Sequence, residues 1–310
     1  MATEGRTMYI TRLPDHSDPQ FDEAAHFARF RKQNMVFSAE SHDAHCDEHI
    51  GCLSVKTLLR GAETYGIDGR KVTVRPGQFL ILNNDQPYSC RISGPGAAHA
   101  LSVFFKSDFA AAVLTAAMHT DAYLLDEPFF PDGALPSFFQ HLHDTTPLMQ
   151  HRLQQLVQSL ETQGYVAAMV DEQLVFLLHD LAGVQQADRR LARDVQALKP
   201  ATRHELFRRL CVAKDVLHTA YHEPLDLERL GREACLSVPQ LVRQFKSVFR
   251  CSPYQYLVRV RLEQAAQLLR QGNQPAQDIA WQCGFENAGA FGRAFKSRYG
   301  VSPMAFRQQH

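Results

Sequence analysis

Arg243-Gln-Phe-Lys-Ser-Val-Phe-Arg-Cys-Ser-Pro253 decides the reading of this chain, because Arg293-Ala-Phe-Lys-Ser-Arg-Tyr-Gly-Val-Ser-Pro303 repeats it 50 residues later. Both copies follow Arg-x-Phe-Lys-Ser-x-aromatic-x-x-Ser-Pro. A repeat at a fixed period means one supersecondary unit used twice. Leu227 to Leu236 precede the first copy and Gln277 to Phe285 the second. Leu230 aligns with Ile279 at an offset of 49, whereas Arg243 aligns with Arg293 at 50, so the second turn holds one extra residue. Each copy predicts a short helix, a tight turn near Cys235 or Gly284, and a second helix over 237–249 or 287–299, with Ser237 and Asn287 as N-caps. That order is a helix-turn-helix. A paired helical hairpin with no ligand would share the spacing, but the exposed face here is basic.

Helical periodicity of about 100° per residue sorts the faces. Leu241, Phe245 and Val248 fall together and are expected to be buried, opposite Pro239, Val242, Arg243, Lys246 and Arg250. In the second copy Phe291, Phe295 and Arg298 share one side, with the Arg298 stem at the edge of the stripe and its head in water. Gly289, Gly292, Arg293 and Lys296 share the other side. Arginine pairs bidentately with guanine in a major groove, and lysine suits phosphate. The candidate DNA-contacting set is therefore Ser237, Pro239, Gln240, Val242, Arg243, Lys246, Arg250, Asn287, Gly289, Arg293 and Lys296.

Residues from about 204 to 307, a third of the chain, resemble the DNA-binding domain of AraC/XylS-type bacterial transcriptional regulators. Pro253-Tyr-Gln-Tyr-Leu-Val-Arg-Val-Arg-Leu-Glu-Gln-Ala-Ala-Gln-Leu-Leu269 matches the helix that links the family's two helix-turn-helix units. Asp278-Ile-Ala-Trp-Gln-Cys-Gly-Phe-Glu-Asn287, followed by Phe291-Gly-Arg-Ala-Phe-Lys296, matches its most diagnostic stretch. The resemblance implies recognition helices entering successive major grooves on one side of double-stranded promoter DNA. It also implies RNA polymerase as a partner and activation more often than repression. One departure stands out: Asn287-Ala-Gly-Ala-Phe-Gly292 opens the second recognition helix where the family often carries longer polar side chains. The first unit is therefore expected to supply more of the direct base readout, with Arg293, Lys296 and backbone positioning as the second unit's share.

The formal net charge is zero, but it is unevenly spread. Residues 201–310 hold 16 Lys+Arg against 9 Asp+Glu, and residues 1–200 hold 17 against 24. A basic C-terminal part carried by an acidic one confines polyanion contact to one end. No apolar signal-like segment opens the sequence, and the longest largely apolar run, Phe109 to Met118, is too short to span a membrane. Seven scattered cysteines without a Cys-x-x-Cys read as reduced thiols in a cytoplasm. Cys211, Cys235 and Cys283 are expected as small core residues on helices.

Residues 1–20, with Pro14 and Pro19, read as an irregular lead-in. From about 34 to 106 the period shifts towards two, with strands expected near 52–59, 70–75, 78–82 and 100–105. Arg60-Gly61, Asp68-Gly69, Pro76-Gly77 and Asn83-Asn84-Asp85 punctuate them as turns. The fold class expected is α+β: an antiparallel barrel or jelly roll with following helices, then the all-α DNA-binding domain. The first part is similar to the cupin-like sensor domain of the same family. Metal-dependent cupin enzymes carry a His-x-His and a further His two residues past a turn glycine. Here Leu80 holds that last position and no His-x-His precedes the strand run, which argues against an enzyme of that class. His42, His45, Cys46 and His49 are weak candidates for a transition-metal site, a hydrophilic loop being the favoured reading, and no cofactor is called for. Cys46, Cys52 and Cys90 would make a thiol sensor, a weaker reading still.

Candidate lining for a small-molecule effector is Phe79, Ile81, Tyr88 and Phe104, with Arg75 and Arg91 for an anionic one, although ordinary barrel core and surface charge are the favoured readings of each. From 107 to 199 the pattern turns helical: Leu153, Leu156, Val157 and Leu160 form one apolar band and Leu174, Val175, Leu177, Leu178 and Leu181 a second. The resemblance implies that such helices pair two subunits into a homodimer. The expected division is a sensor and dimerisation domain over 1–184, a linker over 185–203, and the DNA-binding domain over 204–310, opened by a helix over 204–221. Three functions follow: an effector-responsive transcription factor, a cupin-type enzyme with an accessory DNA-binding domain, or a constitutive architectural DNA-binding protein. The first has the motifs. No Ser/His/Asp order, phosphate-cradling glycine loop or paired-carboxylate motif supports the second.

Overall fold

Asp68 and Gly69 take up positive φ angles of 49° and 73°, and Ile67 pairs with Arg70 across them. This is the two-residue hairpin turn that an Asp-Gly sequence favours, because its twist matches that of the flanking strands. The computed structural model describes residues 9–12, 22–30, 32–94, 96–118, 135–272 and 274–309. Pro14 and Pro19 of the expected lead-in lie outside them. The chain divides into two units, residues 1–190 and 191–310.

In the first unit a six-stranded sheet runs in the order β1 (Tyr9–Ile10), β2 (Met35–Ser41), β9 (Ala98–Phe104), β4 (Ser54–Arg60), β7 (Gln78–Leu82), β10 (Leu142–Asp144). A four-stranded sheet has the order β3 (Ala44–Ile50), β8 (Pro87–Ile92), β5 (Glu63–Ile67), β6 (Arg70–Val74). Among the described residues every pairing is antiparallel except β1 with β2. Among the described residues the two sheets do not close into a barrel: they end on β1 and β10 and on β3 and β6, and closure would require those edges to pair. Part of the expected lead-in is ordered as β1, and the His42–His49 segment runs from a turn into strand β3, which pairs with β8 with a bulge between Cys46 and His49.

The large sheet has two buried faces. On one, Val55, Phe79, Ile81, Leu101 and Val103 pack against helices α2 (Ser107–Met118), α3 (Pro147–Gln163) and α4 (Ala167–Arg193), through Leu114, Leu153, Leu156, Leu174 and Leu178 among others. On the other, Leu58, Leu80, Leu82 and Ala100 share a core with Tyr65, Val72, Val74 and Tyr88 of the small sheet. A short helix, α1 (Glu23–Phe30), adds Phe30 to a satellite cluster with Phe37 and Phe104. Both predicted apolar bands of α3 and α4 are buried, with Val175 at the margin.

The second unit opens with α5 (Pro200–Thr219), which starts earlier than expected because Pro200 supplies a preset first turn. Then come α6 (Leu227–Glu233), α7 (Val238–Phe249), α8 (Pro253–Gln271), α9 (Ala276–Gln282), α10 (Ala288–Tyr299) and α11 (Pro303–Gln308). The repeated Ser-Pro acquires a physical role. Ser252 Oγ accepts from Gln255 N and Ser302 Oγ from Ala305 N, each at 3.2 Å, while the following proline sits at the first helical position of α8 or α11. The C-terminal half of α8 carries Leu262, Ala266 and Leu269 into one cluster with Ile279, Cys283, Phe291, Phe295 and Phe306. Arg261 of α8, 9% exposed, donates to the carbonyls of Tyr221 (2.7 Å) and Glu223 (2.6 Å) and so pins the loop after α5.

Cys235 and Gly284 occupy the two turns, both left-handed, with φ of 51° and 80°. Cys235 is exposed, which corrects its expected place in the core: it fills the turn position held by glycine in the other copy. Cys211 and Cys283 are buried as expected. At Gly284 a Cβ would lie 2.7 Å from the His222 carbonyl oxygen, a backbone atom that does not yield cheaply. Gly284→Ala is expected to destabilise the second unit by about 2–3 kcal/mol, from strain plus overlap. Urea unfolding followed by circular dichroism measures this; a loss below ~1 kcal/mol would mean that the His222 loop gives way.

Candidate nucleic-acid interface and buried cavity

Each recognition helix owes its orientation to its buried stripe. Leu241, Phe245 and Val248 of α7, and Phe291 and Phe295 of α10, are at most 2% exposed. The opposite face of α7 presents Arg243 and Lys246, and that of α10 presents Arg293 and Lys296, all four exposed. Among the described residues none of these four has an ion pair. Neighbouring arginines behave differently: Arg209 meets Glu205, Arg229 meets Glu233, and Arg298 lies 3.5 Å from Glu263. Compensation is thus withheld at the same two positions of both copies. Pro239 and Gly289 are exposed on the same side, with Gln240 and Val242 half-buried.

Three expected contributors differ in detail. Asn287 caps α10 with its side chain, accepting from Gly289 N at 2.7 Å and Ala290 N at 3.1 Å, so its oxygen is committed. Ser237 has cap-like backbone angles but makes no side-chain cap bond, and its hydroxyl side of the helix start is exposed. Arg250 ends α7 in a left-handed conformation and, although exposed, has its Nη2 2.7 Å from Asp194 Oδ2, so unlike the four cations above it has an acidic partner.

Sequence periodicity missed the polar back of α7. Gln244, 1% exposed, donates to the Gln196 carbonyl (3.1 Å) and accepts from Gln196 N (2.9 Å). Ser247 donates to the Asp194 carbonyl at 2.7 Å. The recognition helix is therefore bonded to the segment that directly follows α4, a contact no local pattern in α7 announces.

In the first unit a cavity of about 620 Å³, counted to its open mouth, lies between strands of the two sheets. Tyr88 and Phe104 line it, joined by Lys56, Glu63, Tyr65 and Cys90. Phe79 and Ile81 do not, because they occupy the helix-facing side of β7; Leu80 and Leu82 face the small sheet instead. Arg91 is exposed on β8, alternating with the inward Tyr88 and Ile92, and Arg75 lies half-buried in the turn between β6 and β7. Neither joins the lining. His45, Cys46 and His49 reach the rim, with Cys46 Sγ 3.2 Å from His49 Nδ1, while His42 is exposed away from them.

Lys56 is the cation in this cavity, and it is 3% exposed. Its Nζ stands 3.6 Å from the Phe104 ring centre and 5.2 Å from that of Tyr88, and among the described residues it has no ion pair. Burial pushes its ammonium down from 10.5 to about 8. Burial raises the Glu63 carboxyl, whose Oε2 accepts from Tyr65 Oη at 2.6 Å. The Cys90 thiol is raised by its hydrogen bond with Cys46 and by burial. No disulfide joins any of the seven cysteines.

Among the described residues no helix is long and apolar enough to cross a membrane. A family described as a helix-turn-helix domain matches residues 230–309. Over 86 residues the chain is 35% identical to the HTH-type transcriptional regulator GbdR of Pseudomonas aeruginosa, covering 28% of this chain and 23% of that protein. Over 81 residues it is 37% identical to the HTH-type transcriptional activator RhaS of Klebsiella pneumoniae, covering 26% and 29%. The matched part thus spans about a quarter of the length of these relatives. A solved AraC-type regulator from Chromobacterium violaceum is 28% identical over 33% of this chain and 90% of that chain, with a TM-score of 0.32.

Proposed function

We propose that this chain, whose C-terminal unit is an AraC/XylS-type double helix-turn-helix domain, is a regulator of transcription that binds double-stranded promoter DNA sequence-specifically. The observation that carries the reading is the pairwise exposure of Arg243 with Lys246 and of Arg293 with Lys296, uncompensated at matched positions of two helices. Cations kept free of acidic partners on a helix face serve a polyanion. The matched relatives are named as transcriptional regulators, which favours this reading over an enzyme.

Residues 1–184 are assigned to sensing and pairing, 204–310 to DNA, and 185–203 to the connection. The shared core of the two sheets supports a cupin-like, double-sheet form of the sensor. The cavity favours an effector-responsive regulator over a constitutive architectural protein. With Lys56 beside aromatic rings, it fits a small effector with an anionic group on an apolar body. Activation, through a homodimer in the cytoplasm that engages RNA polymerase, completes the proposal.

Fluorescence anisotropy with a selected operator across a salt series tests it, with stoichiometry from sedimentation equilibrium. Four phosphate- or base-directed cations per chain predict a log–log salt slope of roughly −4 or steeper. Residues 191–310 are the fragment to compare, since truncation at 200 would remove the Asp194 and Gln196 contacts of α7. If neither full chain nor fragment discriminates the selected site from random DNA, the regulator reading fails.

A further inference from the structure

His141 and His143 stand two residues apart at β10, and strand alternation carries both rings to one side. Asp188 comes from α4, and all three are buried, at 3%, 8% and 4% exposure. Their ligand-type atoms lie within 4.8 Å of one another. His141 Nε2 is 3.1 Å from Asp188 Oδ2, and His143 Nε2 is 3.9 Å from the same oxygen. The other nitrogen of His141, Nδ1, faces the Leu142 carbonyl at 2.8 Å.

That last contact decides the chemistry. With Nδ1–H donating to the carbonyl, a neutral His141 turns the Nε2 lone pair towards a carboxylate oxygen. His143 Nε2 faces the same oxygen, so one divalent ion between them would meet two imidazole nitrogens and a carboxylate oxygen. An imidazole whose remote N–H is fixed by a backbone carbonyl is the usual arrangement of a metal-ligating histidine.

We propose that His141, His143 and Asp188 bind a divalent transition-metal ion of the zinc class. Two imidazole nitrogens and one carboxylate oxygen suit zinc and its neighbours, whereas calcium and magnesium call for mostly oxygen ligands. Bond lengths of 2.0–2.2 Å in a tetrahedron place ligand atoms about 3.3 Å apart. The separations of 3.1 and 3.9 Å bracket that value, so a small rotation of His143 completes the site. The surroundings hold the ligands still. Phe79 stacks on His143 with ring centres 5.0 Å apart, and Gln185, one turn before Asp188, donates to the Ser137 carbonyl at 2.8 Å. A bound ion would fasten the edge strand β10 to α4.

The test uses the full chain, stripped with a chelator and titrated with Zn²⁺ and then Co²⁺. One saturable equivalent per chain is expected, with a raised melting temperature, as for any ligand that binds only the folded state. Cobalt should show visible d–d absorption without a thiolate charge-transfer band. His143→Gln and Asp188→Asn should weaken binding at least about 10-fold, whereas His42→Gln and His45→Gln should leave it intact. Far-UV circular dichroism checks that each variant is folded, and the cobalt spectrum of the unmodified chain stands even if Asp188→Asn is not. A thiolate band, absence of a saturable equivalent, or unchanged binding in folded His143→Gln would overturn the proposal.

Discussion

An Arg243→Ala, Arg293→Ala double variant is expected to bind a selected operator on the order of 10²- to 10⁴-fold more weakly at fixed salt, since each bidentate arginine–guanine contact contributes about 1–3 kcal/mol of discrimination. Random DNA should be bound with a much smaller loss. Both side chains are exposed and unpaired, so folding stability should change by less than ~0.5 kcal/mol and the effect is not one of unfolding. The two halves should be unequal. α10 surrounds Arg293 with Ala288, Gly289 and Gly292, which have no side-chain donors or acceptors, so Arg243→Ala alone should erase more sequence information than Arg293→Ala alone. Lys246→Ala and Lys296→Ala should instead weaken all sequences alike and flatten the salt slope by about 1 each. Arg250→Ala is the internal control, because its charge is already met by Asp194. Binding-site selection with each variant measures these differences. Equal losses on operator and random DNA would make the arginines phosphate contacts and remove the basis for base readout.

The second unit was legible because its information is local and stated twice. Within each copy the turn, the apolar stripe and the Ser-Pro cap follow one another along a single short stretch, from Cys235 to Pro253 and from Gly284 to Pro303. What local pattern did not reveal there was non-local: Arg250 meets an aspartate 56 residues away, and Gln244 is buried against Gln196. In the first unit alternation found strands but not which buried face each residue joins. Phe79 and Leu80 are equally apolar, and only the packing of helices on one side and a second sheet on the other separates them. Lys56 looks like an outward residue in Ser54-Val-Lys-Thr-Leu58, yet the whole of that strand segment is buried. The His-x-His at 141–143 was available as a same-side strand pattern, but Asp188, 45 residues on in a helix, was not. The His42 to His49 segment, more conspicuous in sequence, lies on the turn and strand β3 and brings Cys46 and His49 together.

Lys56→Met is expected to make the protein more stable and, at the same time, to abolish its response to an anionic effector. A fall in the ammonium's pKa from 10.5 to about 8 corresponds to roughly 3 kcal/mol of destabilisation at neutral pH, because the charged form is disfavoured in the fold. At 3% exposure, solvent screening does little to reduce that figure. The sign fixes the pH window. Below about 8 both states carry the proton and the full penalty applies; between 8 and 10.5 the unfolded chain holds the proton and the folded one does not, so stability rises with pH. Methionine has a similar reach, no charge and favourable contacts with Phe104 and Tyr88. The advantage of the variant should therefore be largest at pH 7 and should shrink by pH 10, which urea denaturation at the two pH values measures. A variant less stable than the parent at pH 7, or an advantage independent of pH, would mean that Lys56 is compensated in the fold, and the effector reading would lose its cation. An advantage that vanishes with rising pH leaves a buried charge that the fold tolerates at a loss and that a bound anion would neutralise in place. Retaining such a charge makes physical sense in a cavity that is filled some of the time.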